Sequence, residues 1–313
     1  MTDARRLRLA TRGSPLALWQ AEHVAGLLAA VGVGAELVVV DTEGDRRTDV
    51  PLARLGGQGV FVKEVQAAVA RGDADAAVHS AKDLPASAEL AAPGLVLGAF
   101  PERGDPRDVL VGARLDDLAT GATVATGSAR RRVQLANLRP DLRFADLRGN
   151  LATRLARIGA DGVTAVVAAR AALDRLGWSA PDGVVAETLD AGTMIPQVAQ
   201  GALAVECRVD DEATGAALAA VDDPAVRRVV EAERAFLAEL GGGCTLPVGA
   251  YAVASPDGSG TLVMTGMVAG ADGHVVLRHE AAGSDGPALG RAVARYLLDD
   301  AGGADLGPWR PSA

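Results

Sequence analysis

Strand-like and helix-like segments alternate through the first two-thirds of the chain, the pattern of an α/β fold on a mainly parallel sheet. Leu7 to Thr11 reads as a strand, and Pro15 to Ala30 as a helix with Ser14 as N-cap and proline at the first helical position. Ala35 to Asp41 reads as a strand, Thr42 to Gly59 as a long polar loop, Val60 to Arg71 as a helix and Ala74 to His79 as a short buried strand. After the turn-rich stretch Phe100 to Pro106 a second unit begins. Its expected strands are Asp108–Val111, Thr123–Thr126, Arg143–Leu147 and Val163–Ala168, and its expected helices start at Ser128, Leu151 and Ala171. A second crossing near Gly192 to Pro196 leads to the strand Leu203 to Arg208.

From about Pro224 the pattern changes to one long helix, three strand-like runs and a closing helix from Pro287 to Leu298, a small α+β unit. Three domains are therefore expected: 1–100 with 197–220, 105–193, and 222–313. Two crossings between two α/β units predict a hinged cleft able to close on a ligand.

The 313 residues suffice for several sizeable cores. Two cysteines are no disulfide framework, and the N-terminal stretch has no long apolar run, so a soluble cytoplasmic protein is expected. Charge excludes more than it admits. The net charge is −9, yet Ser128 to Arg157 holds eight arginines against Asp141 and Asp146, which is +6 locally and −15 elsewhere. Phe144 is the sole aromatic there, where a nucleic-acid groove would interleave several, so small anionic ligands fit better. Only two lysines, Lys63 and Lys82, stand beside 29 arginines, a hint that a compact ammonium is needed at those positions.

Short constellations along the chain carry the chemistry. Cys244 is approached through Gly241-Gly242-Gly243 and left through Thr245-Leu246-Pro247-Val248-Gly249, an accessible setting for a thiol, whereas Cys207 lies in an apolar strand and reads as packing. Thr11-Arg12-Gly13-Ser14-Pro15 and Thr126-Gly127-Ser128-Ala129-Arg130-Arg131 each follow a strand and open a helix; Leu147-Arg148-Gly149-Asn150 with Thr153-Arg154 repeats the order. Such starts serve as plain caps or as anion sites. Arg130 and Arg131 oppose the helix dipole, a cost of a few tenths of a kcal/mol each that a bound carboxylate or phosphate would offset. Lys82-Asp83 follows a strand end, so Asp83 is either a carboxylate within a ligand cleft or part of a surface turn. The loop Gly56 to Glu64 lacks a nucleotide P-loop ending, and His79 has no second ligand nearby that would make a metal site.

Taken in order, Ala10 to Gln20, Gly56 to Glu64, Val78-His79-Ser80-Ala81-Lys82-Asp83, Leu147-Arg148-Gly149-Asn150, Gln200-Gly201-Ala202 with Glu206-Cys207-Arg208, and Gly242-Gly243-Cys244 ahead of Pro247-Val248-Gly249 resemble the hydroxymethylbilane synthase (porphobilinogen deaminase) family over almost the whole chain. The resemblance implies two α/β domains like those of periplasmic binding proteins and a third domain carrying the cysteine. It implies a covalent dipyrromethane cofactor on Cys244, four porphobilinogen molecules condensed with loss of ammonia, and release of hydroxymethylbilane; a monomer without metal, membrane or nucleic-acid partner is expected. Asp83 would stabilise the cationic pyrrole and manage protons. Lys82, Asp83, Ser128, Arg130 and Arg131 would hold the cofactor, and Arg12, Ser14, Arg148, Arg154, Arg175 and Gln200 the substrate. The sequence departs from the family at Gln58, where many relatives have lysine, and at Gly127, where serine is usual.

Two other classes remain open on the residues alone. A two-domain cleft fits a non-catalytic binding protein, although Cys244 has no purpose there. Nucleic-acid binding through the 128–157 region would give salt-dependent affinity, against the acidity of the whole.

Overall fold

A computed structural model describes residues 6–42, 62–87, 91–241, 246–307 and 309. The chain forms two compact units, Met1–Gly104 with Ala202–Arg228, and Asp105–Gly201 with Val229–Ala313. Along the first pass run β1 (Leu7–Arg12), α1 (Pro15–Ala30), β2 (Ala35–Val40), α2 (Lys63–Ala70), β3 (Ala76–Ser80) and β4 (Leu95–Ala99). The second unit opens with β5 (Asp108–Val111), β6 (Thr123–Ala125), α3 (Ala129–Leu138), β7 (Arg143–Ala145), α4 (Leu151–Leu155), β8 (Val163–Ala169), α5 (Arg170–Arg175) and β9 (Ala186–Leu189). The chain returns to the first unit as β10 (Leu203–Arg208) and α6 (Glu212–Ala219), and α7 (Pro224–Glu239) leads out of it. Last come β11 (Val248–Ala254), β12 (Leu262–Ala269), β13 (Val276–Gly283) and α8 (Gly286–Arg295).

In the first unit the sheet order is β2-β1-β3-β10-β4. Period-two alternation sends Leu7 and Leu9 to one face of β1, where they meet Ala21, Val24 and Leu28 of α1. Ala10 points to the other face and packs with Val65, Ala68 and Val69 of α2. Helix α1 begins where expected because Ser14 Oγ accepts the Ala17 N–H at 3.3 Å and Pro15 has no N–H to lose. Cys207 is 1% exposed in this core, and burial pushes its thiol up.

The second sheet has the order β7-β6-β8-β5-β9. Its place beside β8 is taken by an antiparallel strand, β5, as β10 takes the place beside β3 in the first sheet. The expected mainly parallel arrangement is therefore corrected to a mixed one: in each sheet two pairings are parallel and two antiparallel. Helical crossovers enforce parallel strands only while the chain stays in one sheet. Strands entered through a crossing segment run the other way.

The third sheet, β11-β12-β13, is antiparallel throughout. Its buried face, including Ala250, Ala252, Leu262 and Met264, shares the interior of this part of the unit with Phe236 of α7 and Val293 of α8. Three contacts tie it to the segment before β10. Ala250 donates its N–H to Pro196 O at 3.1 Å. The fully enclosed Glu233 carboxylate accepts the N–H groups of Ala199 at 2.7 Å and Ala252 at 2.9 Å. Gly249 lies so close that a Cβ there would be 2.8 Å from Pro196 O and 3.0 Å from Ile195 O. No helix among the described residues is long and apolar enough to cross a membrane.

Gly249→Ala is expected to lower stability by about 1–3 kcal/mol, since backbone oxygens cannot step aside. Gly26→Ala, in open space within α1, should gain roughly 0.5–1 kcal/mol. Equal denaturation midpoints for the two variants would show that the close approach at Gly249 carries no energy.

Candidate active site

Parallel strands deliver their following loops to one edge of a sheet, and in both α/β sheets the arginines and their companions lie along that edge. In the first unit β1 ends at Arg12 and β3 at Ser80, in parallel register with Leu9 beside Ala76. Arg12, the cap Ser14, Lys82 and Asp83 thus all follow carboxyl ends of adjacent strands. Lys82 and Asp83 occupy one tight turn, Ala81–Asp83, fixed by the Ala81 N–H on Ala202 O at 3.0 Å. The strand end beneath is held by Gln20, whose amide donates to Ser80 Oγ at 2.8 Å. Asp83 is half-buried and joins no ion pair among the described residues. Behind the turn, buried His79 lies 3.1 Å from Glu206, which also accepts from Gln66 at 2.8 Å. His79 belongs to that internal cluster and to no group of metal-ligating side chains among the described residues.

In the second unit β6, β7 and β8 are mutually parallel through β6. Ser128, Arg130 and Arg131 follow β6; Arg148 and Arg154 follow β7; Arg175 follows β8. Ser128 Oγ caps α3 by accepting the Arg131 N–H at 3.4 Å. At the third helix start, Asn150 accepts from the Thr153 N–H at 3.0 Å, and Arg154 Nε donates to Gly149 O at 2.8 Å. That helix spans only Leu151–Leu155, so its dipole is weaker than that of α3.

The antiparallel strand β5 places Asp108 at the same edge, beside Ala169 at the end of β8. Asp108 is wholly enclosed and holds both first-turn arginines: Arg130 Nη2 at 2.7 Å, Arg131 Nη2 at 2.7 Å and Arg131 Nε at 3.1 Å. Gln200 adds an amide hydrogen bond at 2.9 Å and donates to Pro106 O at 2.7 Å. Each guanidinium is also anchored on a carbonyl, Arg130 on Ile195 O and Arg131 on Val167 O. Burial alone would push the Asp108 carboxyl up; the charges of Arg130 and Arg131, with hydrogen bonds from Arg131 and Gln200, outweigh it and hold the pKa lowered to about 2. The carboxylate that offsets the dipole cost of these arginines is thus supplied from within the chain. Arg175 is likewise turned inward, its Nη2 donating to Gly201 O at 2.7 Å.

Comparison with known proteins gives this edge its context. The family model described as "Porphobilinogen deaminase, dipyromethane cofactor binding domain" matches residues 7–216, and "Porphobilinogen deaminase, C-terminal domain" matches 228–299. The chain belongs to the porphobilinogen deaminase family. It is 48% identical over 301 residues to the porphobilinogen deaminase of Acidothermus cellulolyticus, covering 93% of this chain and 88% of that one. The porphobilinogen deaminase of Xanthomonas euvesicatoria pv. vesicatoria is 49% identical over 300 residues, 94% and 96% of the two chains. Among solved structures, the methionine-binding protein MetQ is similar over 72% of this chain and 93% of its own, with 13% identity and a TM-score of 0.42.

The residues suit a carboxylate-bearing ligand, and the first family domain is described as binding a dipyromethane cofactor. Arg148 Nη1 and Arg130 Nε are enclosed N–H donors without an acceptor among the described residues, and a ligand carboxylate is the acceptor that would complete them. Glycine at position 127 has a local reason. A Cβ there would lie 2.7 Å from Leu147 O, so glycine lets the turn before α3 approach the end of β7. Cys244 and the loop through Gln58 lie outside the described residues.

Sequence reasoning missed Asp108. The available signal was a carboxylate opening the otherwise apolar run Asp108-Val109-Leu110-Val111, which cannot be buried without a cation. Because its folded pKa is depressed from 3.8 to about 2, Asp108 contributes stability in full above the unfolded value and loses it as pH falls through about 2. Arg131→Gln should therefore shift loss of amide protection in β5 and β8 to higher pH during acid titration. An unchanged midpoint would contradict this electrostatic account.

Proposed function

We propose that this chain is a hydroxymethylbilane synthase, joining four porphobilinogen molecules onto a dipyrromethane primer and releasing the linear tetrapyrrole by hydrolysis. The observation that carries the reading is the placing of Arg12, Ser14, Lys82 and Asp83 on one carboxyl edge and of Ser128, Arg130, Arg131, Arg148 and Arg154 on another, in a chain of this family. The assignment of domains 1–100 with 197–220, 105–193 and 222–313 belongs to the same reading.

In each condensation a carbon–carbon bond forms and the carbon–nitrogen bond of the incoming aminomethyl group breaks. The proton lost from the acceptor carbon leaves with the amine as ammonia. Cys244 would hold the dipyrromethane through a thioether, and that group would supply the nucleophilic pyrrole carbon for the first of these steps. The protein supplies charge and position. Every added unit brings an acetate and a propionate, so a growing chain requires many guanidiniums, whose planar forks pair with carboxylates bidentately. Arg148 and Arg154 with Arg12 and Ser14 take substrate carboxylates, and Lys82, Ser128, Arg130 and Arg131 those of the primer. Arg175 and Gln200 act from behind, through the polypeptide groups they hold.

Asp83 has a different task. Loss of ammonia leaves positive charge on the substrate pyrrole, and a half-buried carboxylate at the end of a central strand stabilises it more strongly than water would. The same carboxylate relays the protons exchanged in each round.

Intact mass under denaturing conditions tests the primer. An excess equal to two condensed pyrroles, mapping to the Cys244 peptide and absent from Cys244→Ser, is expected; an unmodified chain that also takes up nothing from added porphobilinogen would defeat the assignment. Asp83→Ala should keep the primer and lose turnover by roughly 10²–10³-fold, the scale for removing one group that stabilises transition-state charge. Near-normal turnover in that variant would remove Asp83 from the chemistry.

A further inference from the structure

We propose that Asp108 is a positioning residue of the anion site, acting on ligand carboxylates only through Arg130 and Arg131. This inference rests on the synthase reading above. With no exposed surface, Asp108 cannot itself meet a ligand. What it controls is the aim and the net charge of the two guanidiniums.

The aim is fixed from two sides. Arg130 reaches Asp108 with Nη2 at 2.7 Å and Ile195 O with Nη1 at 2.6 Å. Arg131 spends Nε and Nη2 on Asp108 and Nη1 on Val167 O at 3.0 Å. Ile195 is itself clamped, since its N–H donates to Gln134 Oε1 at 2.8 Å while its carbonyl accepts from Gln134 Nε2 at 3.1 Å. Gln200, which steadies Asp108, follows Ala199, a residue held at φ +58 with its N–H on Glu233. A non-glycine residue persists in the left-handed region where its surroundings demand it. Frozen in this way, the pair leaves Arg130 Nε as an enclosed donor without an acceptor among the described residues.

Charge follows from the same geometry. Two guanidiniums share one carboxylate, so the cluster carries a single excess positive charge. That is enough to attract a carboxylate, and the internal carboxylate keeps both cations from collapsing onto it. A hydrogen-bonded neutral side chain in place of Asp108 would leave two buried cations free to turn toward any anion, with their directions no longer set.

The test uses the full chain, produced without primer, then given porphobilinogen, with primer occupancy read by intact mass on the folded, monodisperse fraction. Asp108→Asn is expected to reach less than a tenth of wild-type occupancy, and Asp108→Glu, which restores the charge, to recover part of it. A merely structural role would lower the yield of folded protein and leave the occupancy of that fraction unchanged, which overturns the proposal. Should Asp108→Asn not fold, Gln200→Leu loosens the same carboxylate with no change of charge. Its occupancy or kcat should fall about tenfold with KM within twofold, and wild-type values of both would overturn the proposal. No uptake by the wild-type chain overturns this inference together with the synthase reading; equal uptake by wild type and folded Asp108→Asn overturns the role of Asp108 alone.

Discussion

One enclosed carboxylate, Asp108, neutralises half the charge of two arginines that open a helix, and the carboxyl edge of the second sheet is built around that arrangement. A charge buried without a partner costs several kcal/mol, and a helix start is a poor place for cations. Asp108 answers both difficulties at once. It can do so because β5 runs antiparallel to β8, which brings an amino-terminal residue of one strand beside the carboxyl end of another. The reversal of strand direction at the crossing is therefore what puts a carboxylate among the arginines.

The two sheets share the arrangement of parallel and antiparallel neighbours but reach it in different chain order. The strand beside β3 is supplied last, by β10, and the strand beside β8 is supplied first, by β5. In both, helices on the faces leave the carboxyl edge of the parallel strands open to loops, and there Arg12, Asp83, Ser128 and Arg148 stand. The small third sheet, fastened through Gly249, Glu233 and the carbonyl of Pro196, belongs to the same compact unit as the arginine cluster.

Much of this was legible because it is local. The Ser14 cap with Pro15 gives α1 its start to the residue, and the apolar run Val248 to Ala254 is β11. Strands β4 and β9 and helix α6 escaped notice. Both strands lie at sheet edges, where one neighbour is missing and the apolar signal is diluted: Leu95-Val96-Leu97-Gly98-Ala99 is half-exposed and contains glycine, and Ala186-Glu187-Thr188-Leu189 has a single fully buried residue. At the site, the arginines that follow strands were visible from spacing and from their unfavourable place on a dipole. Their partner was not, because the link between Asp108 and Arg131 exists only once β5 has paired with β8. Gln200 and Arg175, which the family resemblance assigns to ligand contact, likewise have partners in the polypeptide that only the fold brings to them.

The function proposed for this chain is stepwise condensation of an aminomethyl pyrrole. Its most direct test is the stoichiometry of one reaction: purified chain, porphobilinogen in excess, and ammonia counted against linear tetrapyrrole released. Four ammonia molecules for each tetrapyrrole is the result expected. Porphobilinogen recovered intact, with no ammonia formed by a chain that is folded and carries its primer, would contradict the account.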